Sequence, residues 1–321
     1  MQETDHYRKG IESAIERLKE THSGTIYNPA HYILSLPAKR LRPILTLIAS
    51  DMFDGELKGT ENAALAVEIF HNFSLVHDDV MDEAPLRRGE QTVHKKWNLN
   101  TAILSGDMML VMAYDQIMKT PEISRLRAFN IFSKTAADVC IGQQMDMEFE
   151  QRWDVSLEEY VEMIKLKTSV LLASSLQLGA LCAGANEYST ERLHEFGLEI
   201  GWAFQIQDDY LDLFGNTESL GKQKGGDIYA KKKTILLLKA LELGNNAQKD
   251  RIAQIFKGEV TSETINELEN MMRSLKVPEA ISELKNEHMT KAKSALDDAG
   301  GNKSIRELLW RLSLTLIDRE F

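Results

Sequence analysis

"SLVHDDVMDEAPLRRG" (residues 74–89) ends an apolar run with three aspartates and then adds two arginines. Residues 204–212, "FQIQDDYLD", repeat the Asp-Asp-x-x-Asp pattern after another apolar run. On an α-helix, residues four apart share a face, so the first and last aspartates of each motif project the same way and the middle one lies about 100° around. Stacked like charges near a helix C-terminus repel one another and oppose the helix dipole, which favours a bound cation.

The acidic motifs predict an oxygen-ligated divalent metal. Mg²⁺ or Mn²⁺ is favoured, because Mg²⁺ in particular takes one or two carboxylates, several waters and substrate phosphate oxygens. A single Asp-Asp-x-x-Asp motif is more often a solvated helix end. Two copies, each at the end of an apolar helical segment of one chain, favour a metal site built by two helices that face each other.

The composition is that of an ordinary globular protein. The chain has 321 residues, 43% hydrophobic and 27% charged, with only 6 Pro. No linker rich in Pro, Gly or Ser divides it, so we expect a single domain over residues 1–321. A formal net charge of -11 argues against a general nucleic-acid or anionic-membrane surface. Cys140 and Cys182 lie far apart without CxxC spacing, which predicts neither a disulfide framework nor a zinc site.

The N-terminal stretch "MQETDHYRKG" is polar and lacks an apolar signal core. No run along the chain approaches the ~18 apolar residues that a membrane span requires. We therefore expect a cytoplasmic protein without stable membrane insertion.

Helical periodicity dominates the chain. Near the N-terminus, Ile11, Ile15 and Leu18 recur at spacings of four and three, and no segment sustains the alternation of a strand. The later part of the chain predicts helices over residues 61–82, 101–119, 122–150, 157–184, 190–213, 232–243, 247–257, 261–272, 278–299 and 303–319. The pattern predicts an all-α fold around one core.

Basic side chains flank both acidic motifs. They occur in "PAKRLRP" (37–43), "IKLKTS" (164–169), "GKQKGGD" (221–227) and "KKKT" (231–234), as well as in the pair after the first motif. Arg suits bidentate phosphate contacts and Lys supplies a point charge. Together with "GQQMD" (142–146), these motifs make the chain resemble the polyprenyl synthetase family of trans-isoprenyl diphosphate synthases from about residue 8 onward. Ala38 stands where the family pattern GKRxRP has Gly.

The resemblance implies an isoprenoid-synthase-type helical bundle with a central cavity, which condenses isopentenyl diphosphate with an allylic diphosphate (dimethylallyl, geranyl or farnesyl). It implies Mg²⁺, with Mn²⁺ as a substitute and three ions when substrate is bound, and a homodimer. Metal ligation would fall to Asp78, Asp82 and Asp208, supported by Asp79, Asp209 and Asp212. The allylic diphosphate would be held by Arg87, Lys167, Lys222 and Lys232, with Lys231 and Lys233 as alternatives to the last. Isopentenyl diphosphate would be held by Lys39, Arg42, His71 and Arg88, while Gln205 and Thr168 would help to position the reacting groups.

Two phenylalanines are candidates for setting product length. Phe73 and Phe70 precede Asp78 by five and eight residues, so they lie one and two turns down the helix, where a tunnel for the hydrocarbon would run. In the family, bulky residues at these positions stop elongation early. Phe73 beside the small Ser74 resembles enzymes with a C20 product, and a C15 product is the near alternative.

Two other functions remain open at this point. A class I terpene cyclase shares the helical fold and the first acidic motif, but its second metal site usually has an Asn/Ser/Glu pattern. A noncatalytic subunit of a prenyltransferase complex would be expected to have lost aspartates. The complete second motif and the basic residues 39–42 favour elongation over both.

Overall fold

The computed structural model describes residues 2–215 and 224–317. Contacts along the backbone group the chain into two compact units. The first unit comprises Met1–Ala136, Leu171–His194 and Leu296–Leu309, and the second comprises Ala137–Val170, Glu195–Ala295 and Trp310–Phe321.

The described residues are almost entirely helical. In chain order the elements are a 3-10 turn (Gln2–Thr4), α1 (Asp5–Thr21), a 3-10 turn (Thr25–Tyr27), α2 (Asn28–Ser35), α3 (Leu41–Asp51), α4 (Leu57–Met81), β1 (Leu86–Arg87), β2 (Glu90–Gln91), α5 (Val93–Lys96), α6 (Leu99–Ile117), α7 (Glu122–Gln151), α8 (Leu157–Ile164), a π-helical turn (Lys165–Ser169), α9 (Val170–Cys182), α10 (Glu187–Phe214), α11 (Gly226–Tyr229), α12 (Ile235–Leu243), α13 (Asn246–Lys257), α14 (Ser262–Ser274), α15 (Val277–Ala299) and α16 (Lys303–Ile317). The strands β1 and β2 pair antiparallel as a short hairpin.

Helix α4 is the central element of the first unit. All of residues 63–70 are buried, as expected for a helix that is covered on every side. Helices of this unit approach one another closely where one of them has a glycine. A methyl group at Gly106 of α6 would lie 2.1 Å from Nε2 of His77, and one at Gly179 of α9 would lie 2.0 Å from the carbonyl oxygen of Thr46 on α3. Glycine at both positions therefore lets the helices pack at backbone contact.

The second unit has its own apolar core, built largely from α8, α10 and α12 to α14. Trp202, Ile206, Leu237 and Leu268 are among its buried members. Helix α8 starts at a capping box, in which Oγ of Ser156 accepts from the N–H of Glu159 and the Glu159 carboxylate accepts from the N–H of Ser156.

The predicted all-α fold is confirmed, with two local differences. The helix predicted over residues 157–184 is interrupted by the π turn, and the hairpin was not predicted because two-residue strands are too short to show alternation. The single domain over residues 1–321 stays a prediction. No helix in the described ranges is both long and apolar enough to cross a membrane.

Candidate active site

The middle aspartate of the first acidic motif is buried and paired within the protein. Asp79 is 1% exposed, and Arg87 donates to its Oδ1 from Nε at 3.0 Å and from Nη2 at 2.5 Å. The hairpin makes this pairing possible, because Arg88 and Gly89 at its turn have left-handed φ angles of 55° and 84° and reverse the chain. A buried carboxylate without a cation is costly, so the pair fixes the C-terminal end of α4.

The outer aspartates of the first motif lie nearer to solvent. Asp78 is half-buried and Asp82 is exposed. The N–H of Asp82 donates to the carbonyl oxygen of Asp78 at 2.8 Å, which closes the last turn of α4. A hydrated cation can reach these two side chains more easily than it can reach Asp79.

Arg42 on α3, His71 on α4 and Arg88 in the hairpin form a basic cluster, the cationic group of the first unit. Nη1 of Arg42 is 3.2 Å from Nε2 of His71, and Nη1 of Arg88 is 3.5 Å from Oδ1 of Asn72. Burial first, and then Arg42 and Arg88, hold the pKa of His71 well below its usual 6.5, so its neutral ring can accept from Arg42. Burial also lowers the pKa of Arg42 to about 10.

This cationic group retains donor capacity. Nε of Arg42 is buried without a hydrogen-bond partner among the residues that the structure describes. Lys39, three residues earlier in the chain, is exposed. A buried guanidinium N–H without an acceptor, beside a neutral histidine, suits an anionic ligand, because a buried polar group without a partner is otherwise costly.

The two predicted chain-length phenylalanines are buried on α4. The ring of Phe70 lies 5.3 Å from that of Phe73 and 5.5 Å from that of Phe132 on α7. The ring of Phe73 lies 4.9 Å from the imidazole of His77. Ser74 is half-buried, and its hydroxyl donates to the carbonyl oxygen of His71 at 2.9 Å. The aromatic side chains thus form an apolar zone one to two turns below the first acidic motif.

The second motif has the same division between inner and outer carboxylates. Asp209 is 3% exposed and accepts hydrogen bonds from the Tyr160 hydroxyl at 2.5 Å, Nε2 of Gln205 at 2.8 Å and the N–H of Ile235 at 3.3 Å. Burial raises the pKa of Asp209 to about 7, although the bonds from Tyr160 and Gln205 oppose this shift. Asp208, by contrast, is exposed.

Asp212 has a local structural partner. Its Oδ2 accepts from the N–H of Asp227 at 3.1 Å, and its carbonyl oxygen accepts from the N–H of Gly225 at 2.8 Å. These bonds satisfy donors at the start of α11, so Asp212 holds that short helix against the end of α10.

A pocket within the second unit opens beside Asp209. Its lining residues are Asp146, Phe149, Glu150, Tyr160, Met163, Ile164, Lys167, Thr168, Gln205, Asp209, Asp227, Lys232, Lys233 and Thr234. Five predicted site residues, Lys167, Thr168, Gln205, Asp209 and Lys232, are therefore brought together in one place, as is Lys233, the alternative to Lys232. Nζ of Lys167 donates to Oδ2 of Asp146 at 2.5 Å, so the ammonium has a counter-charge in the pocket wall.

The structure separates the three lysines at 231–233. Nζ of Lys231 donates to the carbonyl oxygen of Gly258 at 2.9 Å, and Nζ of Lys233 donates to that of Glu150 at 2.9 Å. Lys232 is exposed and lines the pocket. Lys233 lines the same pocket, so the choice of Lys232 within the run stays a prediction. Lys222, another predicted site residue, lies outside the described residues.

Asp146, Asp227 and Tyr160 are three of the pocket residues that were not predicted as site residues. Asp146 and Asp227 close the stretches "GQQMD" and "GKQKGGD", so their place in those motifs was a usable signal. Tyr160 carried no such signal, because its bond to Asp209 spans 49 residues of chain.

The residues present fit partial ligation of Mg²⁺. In the described part of the chain, no three His, Cys, Asp or Glu side chains are grouped as a ready metal site. Mg²⁺ commonly takes one or two carboxylates and completes its shell with waters and substrate phosphates. In the first unit Asp78 and Asp82, and in the second unit Asp208, each offer carboxylate oxygens of the kind that such ligation uses, and Asp82 and Asp208 are exposed to solvent.

Comparisons with known proteins agree on one family. A family model described as "Polyprenyl synthetase" matches residues 23–275. The chain is 36% identical over 318 residues to a geranylgeranyl diphosphate synthase of Methanosarcina mazei, covering 97% of this chain and 95% of that protein. It is 37% identical over 270 residues to a geranylfarnesyl diphosphate synthase of Natronomonas pharaonis, covering 76% and 79%. A crystal structure of a geranylgeranyl pyrophosphate synthetase from Pyrococcus horikoshii is similar with a TM-score of 0.93 and 31% identity, covering 99% of this chain and 98% of that one.

The depressed pKa of His71 predicts a pH effect on stability. Because the unfolded ring takes a proton near pH 6.5 and the folded ring resists it, His71 should lower the free energy of unfolding as pH falls below 6.5, by up to about 1.4 kcal/mol per pH unit. His71→Gln keeps an acceptor for Arg42 but cannot titrate. Urea unfolding between pH 7 and pH 5 should therefore show a shallower loss of stability in the variant. Identical slopes in the two proteins would contradict the assignment.

Proposed function

The chain belongs to the polyprenyl synthetase family, and we propose that it condenses isopentenyl diphosphate with an allylic diphosphate to form a short-chain all-trans prenyl diphosphate. The carrying observation is that both Asp-Asp-x-x-Asp motifs are complete and built alike, with the middle aspartate buried and cations close by. The geranylgeranyl and geranylfarnesyl diphosphate synthases among its relatives support the same activity.

We assign isopentenyl diphosphate to the cationic group of the first unit. Arg42, His71, Arg88 and the neighbouring Lys39 would hold its diphosphate. The support is the buried Nε of Arg42, which has no partner among the described residues, and the neutral state of His71, which leaves the charge on the guanidinium groups. This substrate must keep its diphosphate during the reaction, and a site of Arg, Lys and His binds that group without activating it for departure.

The allylic diphosphate would be held by Arg87, Lys167, Lys222 and Lys232. Arg87 already donates to Asp79 through Nε and Nη2, so its contact with substrate would use Nη1. Lys167 and Lys232 line the same pocket, and Thr168 and Gln205 beside them would orient the reacting end. Asp78, Asp82 and Asp208 would bind Mg²⁺, three ions with substrate present, with Asp79, Asp209 and Asp212 in support. When bound, Mg²⁺ neutralises the charge that develops on a departing diphosphate.

The assignment of a separate set of basic residues to each substrate matches the chemistry of the condensation. The allylic C–O bond breaks, its electron pair leaves with diphosphate, and preorganised Arg and Lys groups lower the barrier by stabilising that charge. The alkene of isopentenyl diphosphate then forms the new C–C bond, and a proton is lost, for which the released diphosphate is the expected base. Holding both substrates in alignment supplies a further part of the rate.

A product of C20 is slightly favoured over C15. Phe73 and Phe70 occupy the apolar zone below the first motif, and Ser74 beside them is small. Relatives with geranylgeranyl products support the same length, whereas the geranylfarnesyl relative makes a longer one.

We further propose that a second copy of the chain covers exposed apolar side chains of the first unit. Leu104 and Val111 of α6 are 55% and 56% exposed, and Ile123 and Leu126 of α7 are 97% and 74% exposed. Large exposed apolar side chains in one region commonly mark an interface. Sedimentation equilibrium should give twice the chain mass of 36.4 kDa, and the mass of one chain would exclude the homodimer. We propose the cytoplasm as the location of the protein, because neither Cys140 nor Cys182 forms a disulfide, as is usual in a reducing compartment.

One assay separates the proposed activity from its two alternatives. The protein is incubated with Mg²⁺, isopentenyl diphosphate and each allylic diphosphate in turn, and the hydrolysed lipids are sized by chromatography. A longer linear alcohol is the expected result. A cyclic hydrocarbon formed without isopentenyl diphosphate would show a class I terpene cyclase, and no product with any allylic primer would show a noncatalytic subunit.

Removing the Phe73 ring should lengthen the product. Because this buried ring lies in the apolar zone below Asp78, Phe73→Ala should open space for at least one more five-carbon unit, read as a shift of the main alcohol to longer chains. Phe53→Ala serves as the matched control, since Phe53 is half-buried beyond the end of α3 and lies outside the assigned site. An unchanged product distribution for Phe73→Ala would remove that ring from the role.

A further inference from the structure

The π turn Lys165–Ser169 interrupts an otherwise continuous helix at the pocket of the second unit. The N–H of Val170 donates to the carbonyl oxygen of Lys165, five residues earlier. Such a turn holds more residues than the 3.6 of an α-helical turn and is wider, and π turns are frequent at functional sites. Lys167 and Thr168, both in the pocket wall, lie within this turn.

Two glycines from different helices contact the π turn. A methyl group at Gly142 of α7 would lie 2.3 Å from the backbone nitrogen of Lys167 and 2.7 Å from its Cα. A methyl group at Gly201 of α10 would lie 2.6 Å from Oγ and 2.7 Å from Cα of Ser169. Neither glycine has a left-handed φ angle. Their requirement is therefore for space, not for backbone conformation.

Each glycine begins a row of pocket residues on its own helix. On α7, Asp146 and Glu150 follow Gly142 at spacings of four. The α10 row places Gln205 and Asp209 at the same spacings after Gly201. Residues four apart lie one above the other on a helix face, so each row runs from its contact with the π turn along the pocket wall.

Residues of the α7 row contact both the backbone and the ammonium group of Lys167. Gly142 touches its backbone nitrogen, and Asp146, one turn further along, accepts from its ammonium group at 2.5 Å. Moving α7 away from the π turn would therefore displace the Lys167 backbone relative to the carboxylate that orients its side chain.

We propose that Gly142 and Gly201 are positioning residues, which act as spacers that let α7 and α10 touch the π turn and so set where Lys167 and Thr168 stand in the pocket. The inference rests on the proposed function only in taking this pocket as the place of the allylic diphosphate. The two glycines touch no substrate. Their effect passes through Lys167 and Thr168, so it should appear in diphosphate binding and in turnover rather than in isopentenyl diphosphate binding.

The test compares Gly142→Ala and Gly201→Ala with Gly10→Ala and Gly59→Ala. Both controls are helical glycines with room for a methyl group, since nothing lies within 4 Å of Gly10 and the nearest atom to Gly59 is at 3.8 Å. Isothermal titration with inorganic pyrophosphate and MgCl₂ should show an affinity that is lowered about tenfold or more in the two test variants and unchanged in the controls, because small misplacements of binding groups cost this much. The kcat with geranyl diphosphate should follow the same pattern. The KM for isopentenyl diphosphate should stay the same in all four.

A second variant identifies the contact itself. Ser169→Gly removes Oγ and Cβ, two of the atoms nearest to the new methyl of Gly201→Ala, but none of the backbone atoms of residues 166 and 167 that Gly142→Ala would meet. It should restore part of the pyrophosphate affinity lost in Gly201→Ala and none of that lost in Gly142→Ala. If Gly142→Ala does not fold, the comparison of Gly201→Ala with its Ser169→Gly double variant decides the question.

Three results would overturn the inference: pyrophosphate affinities in the test variants equal to those in the controls, equal loss of isopentenyl diphosphate affinity, or no recovery in the Gly201→Ala double variant. The proposed function fails separately. A wild-type protein that forms no longer alcohol, yet shows the expected pattern of pyrophosphate affinities, would refute the condensation and leave the role of the glycines standing.

Discussion

The buried middle aspartate of each acidic motif is the constraint on which the rest of the site depends. A carboxylate in the interior is tolerated only when protein groups compensate it, and the two motifs do this differently. Asp79 has the guanidinium of Arg87, whereas Asp209 has three neutral donors and a raised pKa. In both cases the inner carboxylate anchors the end of a helix, and the outer members of the motif are placed nearer to solvent.

The positions of the Arg and Lys side chains also depend on the pairing of buried carboxylates. Arg87 is drawn back by the hairpin to meet Asp79, and this leaves Arg88 beside Asn72 and the Arg42–His71 pair. Adjacent residues of one arginine pair thus serve different neighbours. In the second unit, Lys167 is held by Asp146 within the pocket wall. Both units therefore bring Arg or Lys groups close to an acidic motif, as the binding and release of diphosphate groups require.

Much of this could be predicted from sequence, because helical periodicity and short motifs are local properties. The helix predicted over residues 122–150 is observed as Glu122–Gln151, and the one over residues 303–319 as Lys303–Ile317. The hairpin was missed because its strands are too short to show alternation, whereas the other failures are non-local. Glycines of two other helices contact the wider turn at Lys165–Ser169, and the bond from Tyr160 to Asp209 joins residues far apart in the chain. No period or spacing signals such contacts, since they arise only when helices pack.

The central claim is that Asp78, Asp82 and Asp208 bind metal while the inner aspartates hold the fold, and the most direct test is the affinity for inorganic pyrophosphate with and without Mg²⁺. Asp78→Asn and Asp208→Asn, which replace carboxylates outside the interior, should keep the unfolding midpoint of the wild type and lose about tenfold or more of the Mg²⁺-dependent affinity, because each removes a charged oxygen ligand. Asp79→Asn should instead lower the unfolding midpoint, because it leaves Arg87 without its buried counter-charge. Wild-type Mg²⁺-dependent affinity in both outer variants would contradict the account.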